Sequence, residues 1–340
     1  MKNVFYMHKI SSIGGVESFF YYLSKLYDIE VYYSEGDPEQ IKRLAKNIEV
    51  HKYKGKPIEC DRLFSNYSFT ATTTAKEKYH VIHYDPLNVG FGTSYCDGWK
   101  YIGVSKVACK GYKEITGHDI ELIYNPLVLN KPKAEKKKDK LYLISATRLT
   151  SEKGGKRINK LANMLDKAGI DYEWHLYTNK VLYPFDSKHI IKHPQKLDLT
   201  EEMAESSYLV QLSDCESFGL SVCESLILGT PVIITNLEAF KEIGCIHGEN
   251  AVICDMEMNN VDLEMIKKGL PSFKYTPPKQ GWDKYLSRDK TYDPNELIEA
   301  RTLKRFWDTE TNIHYPRGAV FKTRKARASY LEAKEIVEVL

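Results

Sequence analysis

Two glutamates, Glu216 and Glu224, stand eight positions apart in "SDCESFGLSVCESLILGTPVII" (213–234), on either side of Phe218-Gly219-Leu220. An ionised carboxylate only accepts hydrogen bonds, so a pair of them suits vicinal hydroxyls, the groups a sugar presents. Gly219 and its neighbours read as a turn that exposes free amides at the start of a helix, and such amides favour an anion. With Glu224 one turn into that helix, its carboxylate is placed for the two hydroxyls of a ribose. Glu216, in the preceding loop, is placed for hydroxyls of a hexose beyond a diphosphate. A second segment, "SATRLTSEKGGKRI" (145–158), brings Arg148 and Lys153 to a strand-to-helix loop beside Gly154 and Gly155. A guanidinium binds phosphate oxygens bidentately and an ammonium adds a compact charge, so this pair suits a diphosphate. A third, "SSIGGVESFF" (11–20), places Gly14 and Gly15 where a backbone can approach a ligand closely. It is not the dinucleotide fingerprint, because G-x-G-x-x-G is absent.

The elements that must hold these residues alternate from the first residue. Strand-like runs at 3–7, 29–34, 61–67, 78–84, 100–105 and 121–125 flank a helical-period segment at 16–27. The charged run "KPKAEKKKDK" (131–140) reads as a solvated linker. Beyond it, strands at 141–149, 172–178, 189–194, 208–213, 231–236 and 250–255 alternate with helices at 156–169, 199–206 and 220–228. Strands and helices in this order predict an α/β chain built of two doubly wound parallel sheets, each covered by helices, with the ligand in the cleft between them. The boundaries expected are 1–132 for the first Rossmann-like domain, 133–290 for the second, and 291–340 for a small α+β appendage made of a pair of strands, a helix and a last short strand.

Bulk properties narrow the partners. A net charge of +3 over 340 residues gives no global field for nucleic acid or anionic lipid. Seven scattered cysteines without a C-x-x-C pair read as reduced thiols, and the amino terminus reads as a strand with no signal peptide. The expectation is a cytoplasmic protein with no integral membrane segment. No Asp-x-Asp occurs in the chain, so the expectation is no metal site and no cofactor, with Arg148 and Lys153 supplying the positive charge.

Glu216 through Glu224, followed by Gly229-Thr-Pro231-Val-Ile, resembles the E-x7-E motif of retaining GT-B glycosyltransferases of glycosyltransferase family 4, the glycosyl transferases group 1. The Gly14-Gly15-Val16-Glu17 loop, "IGVSKVACKGYKEITG" (102–117), "IYNPL" (123–127), Arg148 with Lys153-Gly154, and "FKEIGCIHGENAVI" (240–253) fall in the family's order. The resemblance covers roughly residues 1–290; Ser217 and Ser225 are small departures from it. It implies a GT-B fold and a metal-independent, retaining hexosyltransferase using a nucleotide-sugar donor, most often a UDP-sugar. It also implies catalytic roles for Arg148, Lys153, Glu216 and His83. Donor-binding roles fall to Gly14, Gly15, Lys196, Leu197, Phe218, Gly219, Leu220 and Glu224. His83, at the end of a first-domain strand, is expected to face the cleft and touch the donor sugar; Asp85 is a candidate acceptor-site residue, and Ser105 and Asn125 are candidate cleft residues. The same architecture also serves nucleotide-sugar epimerases and catalytically silent sugar-nucleotide-binding modules, the alternative reading. The acceptor is not legible. A surface glycan or a protein hydroxyl is favoured over a modified DNA base, because eight Lys/Arg against two Asp/Glu at 301–327 become nine against eight over 291–340. The tail resembles short modules of phage-encoded proteins and is the expected contact for oligomers.

Overall fold

The computed structural model describes residues 1–66, 71–89, 93–180 and 182–340. The first unit is a sheet of β1 (Asn3–Ile10), β2 (Glu30–Gly36), β3 (Glu49–Lys52), β4 (Arg62–Asn66), β5 (Glu77–Ile82), β6 (Lys100–Gly103) and β7 (Glu121–Leu122). Its strands run in the order β3-β2-β1-β4-β5-β6-β7, all parallel. Helices α1 (Gly15–Leu26), α2 (Pro38–Leu44) and α3 (Lys106–Thr116) make crossovers. The second unit repeats the plan with β8 (Leu141–Ala146), β9 (Tyr172–Thr178), β10 (Ile190–Pro194), β11 (Tyr208–Gln211), β12 (Val232–Thr235) and β13 (Ala251–Cys254), ordered β10-β9-β8-β11-β12-β13. Its helices are α4 (Gly155–Lys167), α5 (Thr200–Glu205), α6 (Leu220–Ile227), α7 (Glu238–Glu242) and α8 (Leu263–Lys268). The expected pair of doubly wound sheets is present.

Strand order reverses at β1/β4 in one sheet and at β8/β11 in the other, and ligands of such sheets sit beyond the carboxyl ends at that point. The loops leaving β1, β8 and β11 are the ones that carry Gly14, Lys153 and Glu216. Topology alone therefore gathers the three segments singled out above.

Several edges differ from the sequence reading. The first strand runs on to Ile10. The strand expected at 121–125 stops at Leu122: β7 is the edge strand beside β6, and beyond it the Tyr124 carbonyl accepts from Trp282 Nε1 (3.0 Å). Tyr67, expected to end the strand at 61–67, lies outside the described residues.

Trp282 is fully buried among Phe5, Phe19 and Phe64 of the first unit, with ring centroids 6.0, 5.3 and 6.1 Å away. Leu286 joins the same cluster. After β13 the chain thus returns to the first sheet. Removing a buried tryptophan ring costs about 3–5 kcal/mol, so this insertion is a principal clasp between the halves of the chain.

The tail holds the expected helix and last short strand and more strands before them than the expected pair. Strands β14 (Leu297–Thr302), β15 (Phe306–Asp308), β16 (Ile313–Tyr315), β17 (Val320–Arg324) and β18 (Val337–Val339) accompany α9 (Lys325–Ala333). They form a β17-β14-β18 antiparallel sheet and a β15–β16 hairpin. Helix α9 lies on α2 and β3: Tyr330 donates to Glu39 (3.2 Å), Ser329 to the Val50 carbonyl (3.2 Å), and Lys325 pairs with Glu49 (2.9 Å). Beside that pair, His51 stands between Glu30 and Glu49 (3.5 and 3.2 Å), and Lys2 pairs with Glu30 (2.9 Å). Among the described residues, no helix is long and apolar enough to cross a membrane.

Candidate active site

A cavity of about 530 Å³ opens between the two sheets. Its walls include Gly14, Gly15, Arg148, Lys153, Lys196, Leu197, Glu216, Gly219, Leu220 and Glu224. Ten of the residues proposed from sequence are thus brought together. Phe218 and His83 are not on its wall.

The amino ends of α1 and α6 both lead into it. Their N-caps are Gly14 and Gly219, and neither receives a side-chain cap. The first amides of a helix have no partner within it, so two such ends provide donors for an anion without a neutralising side chain. Gly219 has φ 87°, and a Cβ there would meet the Phe240 ring at 2.7 Å. Only glycine fits the turn.

The loop after β8 is shaped as tightly. Leu149 takes φ 50°, an unusual conformation for leucine, and its side chain is buried while Arg148 stays exposed. After the 3₁₀ turn Ser151–Lys153, Gly154 adopts φ 71° and packs so closely on β11's exit that a Cβ would lie 1.8 Å from the Leu212 carbonyl oxygen. The Asp214 amide donates to the Glu152 carbonyl (2.8 Å), which ties this loop to the one carrying Glu216. The result is a Lys153–Glu216 ion pair at 2.6 Å with both side chains mostly buried. Ser213 Oγ (2.8 Å) and Gln211 Nε2 (3.2 Å) donate to the same oxygen, Oε1. Three donors therefore fix the carboxylate, and Oε2 takes none of them.

Glu224 is held differently. Tyr22, from α1 of the other unit, donates to its Oε1 at 2.6 Å. Burial pushes its carboxyl up to about 7, against the Tyr22 hydrogen bond and the Arg43 charge, which lower it. Burial, followed by the Glu224 charge, raises the Tyr22 phenol. Glu17, behind the Gly14 loop, is likewise raised by burial although its Oε1 accepts from the Ser11 amide (2.7 Å).

Other expectations land as follows. His83 sits just beyond β5 with its ring against Phe19 (centroids 4.6 Å apart) and its Nε2 bonded to the Asn66 side chain. Burial, with His80 nearby, pushes it down to about 3, so it is neutral. The Phe218 ring is buried in the second unit's core near Tyr124. Lys196 pairs with Glu202. Asp85 accepts from the Leu87 amide (3.1 Å) and the Asn88 side chain (2.7 Å), a local turn. Ser105 caps α3 through the Ala108 amide and meets Ser217 across the units at 3.1 Å. Asn125 is buried, with Oδ1 unpartnered.

Sequence reasoning missed the first unit's side chains. Ser18, Tyr22 and Lys25 line the cavity together with Gly15. Their spacing from Gly15, at i+3, i+7 and i+10, is one helical face, so the stripe was available to a reader asking which face of α1 is polar. Arg43, whose guanidinium lies 3.4 Å from the Tyr21 ring centroid, and Gln195, which donates to Ser12 Oγ (2.6 Å), had no local signal.

Residues 186–267 match the family described as Glycosyl transferases group 1. No curated protein matches the sequence. Among solved structures, the chain resembles Anabaena Alr3699/HepE in complex with UDP and glucose, at 14% identity and TM-score 0.58, over 79% of this chain and 89% of that one. It also resembles WaaG, a glycosyltransferase involved in lipopolysaccharide biosynthesis, at 11% identity and TM-score 0.54 over 78% and 89%. A glycosyltransferase from Rickettsia africae matches at 14% identity and TM-score 0.53 over 76% and 85%. The fold is GT-B.

Proposed function

We propose that the chain is a retaining glycosyltransferase that moves a hexose from a UDP-sugar to a hydroxyl acceptor without a divalent metal. The observation that carries this reading is the meeting, in one cavity, of two uncapped helix ends, Arg148 and Lys153 with two carboxylates at the motif spacing. The diphosphate lies at the amino ends of α1 and α6, where Arg148 and Lys153 stabilise the charge that develops as the sugar C1–oxygen bond breaks. The bond from the acceptor oxygen forms on the same face, and the acceptor's proton leaves with the departing diphosphate. Glu224 accepts from the ribose, and Glu216, fixed by three donors on one oxygen, offers the other to the hexose. UDP and glucose bound to the Anabaena neighbour support a nucleotide-sugar donor for this architecture. The acceptor enters from the first unit, and a surface glycan or a protein hydroxyl is the favoured class.

The test is mass spectrometry of products from a panel of nucleotide sugars in chelator, with and without candidate acceptors, and proton NMR of the anomeric linkage. An acceptor-dependent hexose adduct with the donor's configuration is expected. Conversion of donor to an isomer without acceptor would establish an epimerase, and turnover only with magnesium or manganese would remove the metal-free step.

A further inference from the structure

The two motif carboxylates are supported unequally. Glu216 has Lys153, Ser213 and Gln211 from its own unit on Oε1. For the Glu224 carboxylate, the only hydrogen-bond donor among the described residues is Tyr22, and it comes from the opposite unit. The Tyr22 side chain is 4% exposed and reaches the carboxylate at 2.6 Å, at the cavity wall. A carboxylate offers about four acceptor positions. Tyr22 uses one of them on Oε1 and leaves Oε2 to the cavity.

We infer that Tyr22 is a positioning residue for the nucleoside: its hydroxyl holds Glu224 across the cleft so that the second carboxylate oxygen meets the ribose, which makes α1 part of the donor site. This rests on the reading of the cavity as a nucleoside diphosphate site. Its physical basis is twofold. A lone glutamate on a helix rotates among several rotamers, and a short charge-assisted bond from a buried phenol selects one of them. The bond also spans the units, so the ribose pocket is complete only when α1 and α6 are together. Around the carboxylate, the charged and titratable groups are Tyr22 on α1, Arg43 on α2 and Asp198 in the loop after β10; Tyr22 and Arg43 favour its ionised form and Asp198 opposes it.

Calorimetry on the full chain with UDP and with inorganic pyrophosphate tests this. Tyr22→Phe is expected to lower UDP affinity about tenfold or more, the worth of one hydrogen bond to a charged group, and to leave pyrophosphate affinity unchanged. Because the phenol favours the ionised carboxylate, the midpoint of the pH dependence of UDP binding should move to higher pH in Tyr22→Phe, a change that loosened packing alone would not produce. In the Glu224→Gln background the same substitution should cost much less, since the charged partner is gone. Equal UDP affinity in Tyr22→Phe and the unaltered chain, or tighter binding in the variant, would overturn the inference alone and make Tyr22 a plug. Losses that simply add in the double variant would overturn it too. An unaltered chain that binds pyrophosphate but not UDP would fail the donor reading and this inference with it.

Discussion

The two switch points are built on the same strand order and equip it in opposite ways. The loop after β1 presents glycines and free amides, backed by a buried glutamate. The loops after β8 and β11 present charged side chains, Arg148, Lys153 and Glu216, locked by glycines in left-handed turns. Both sheets bring the free amides of a helix end, and the exit loops of the second add the charged side chains. A doubly wound topology therefore fixes where a ligand lies but not which chemistry meets it; the exit loops decide that.

The largest expected effect separates the two sides. Lys153→Ala removes a charge from the diphosphate and strips Glu216 of its ionic partner. Arg148→Ala removes only an exposed charge. One charge-assisted contact is worth about 1.5–3 kcal/mol, so Arg148→Ala should lower kcat/KM by roughly 10–150-fold and Lys153→Ala by more. Steady-state rates that put Arg148→Ala below Lys153→Ala would break the assigned asymmetry.

On the backbone side, an alanine at Gly14 would place Cβ 2.3 Å from Glu17 Oε2, and that side chain is anchored by the Ser11 amide. Overpacking of this kind costs about 1–3 kcal/mol. Gly14→Ala should lower the urea midpoint accordingly and weaken UDP binding several-fold, the damage passing through the amides. Unchanged UDP affinity would remove the first sheet's loop from the donor site.

The smallest effect concerns neither switch point. Burial would lower His51, but the carboxylates of Glu30 and Glu49 beside it outweigh burial and raise the group from its ordinary 6.5 to about 9. The adjacent His51, with Lys325 helping, lowers Glu49 to about 2 from 4.5. A raised histidine stabilises fully below its unfolded value and loses that contribution as pH climbs through 9. A lowered carboxylate stabilises above its unfolded value and loses that contribution as pH falls towards 2. The network tying α9 to β3 is thus complete between about pH 4.5 and 6.5. His51→Asn should shift the urea midpoint at pH 6 and leave it unmoved at pH 9.5. A shift of equal size at both would mean that His51 acts there by packing alone.

Much of this was legible, for identifiable reasons. Strand-helix alternation is strong in β1 and α1, where a strand largely buried leaves an apolar run, and β9 is legible from its period-two pattern of buried and half-buried residues. The segments with Gly14, Lys153 and Glu216 could be read because loop chemistry is local. Strand β3 was not read, since "EVHK" is four residues with polar ends, stabilised by register with β2 and by α9 from the far end of the chain. Trp282 gave no local signal, its aromatic partners Phe5, Phe19 and Phe64 being more than two hundred residues away. Tyr22 was hidden for the same reason: Glu224 is 202 residues distant.

The return of the chain after β13 has a consequence for synthesis. The first sheet is fully synthesised once Leu122 has emerged, yet the slot between Phe5, Phe19 and Phe64 stays unfilled until residue 282 follows. Domains generally fold in the order they are made. Here the first domain in the chain is the last to be finished: the second sheet is complete before Trp282 closes the aromatic core, and α9 can settle on β3 only after that. The amino-terminal half therefore waits, open on one side, for the carboxyl-terminal segment that seals it.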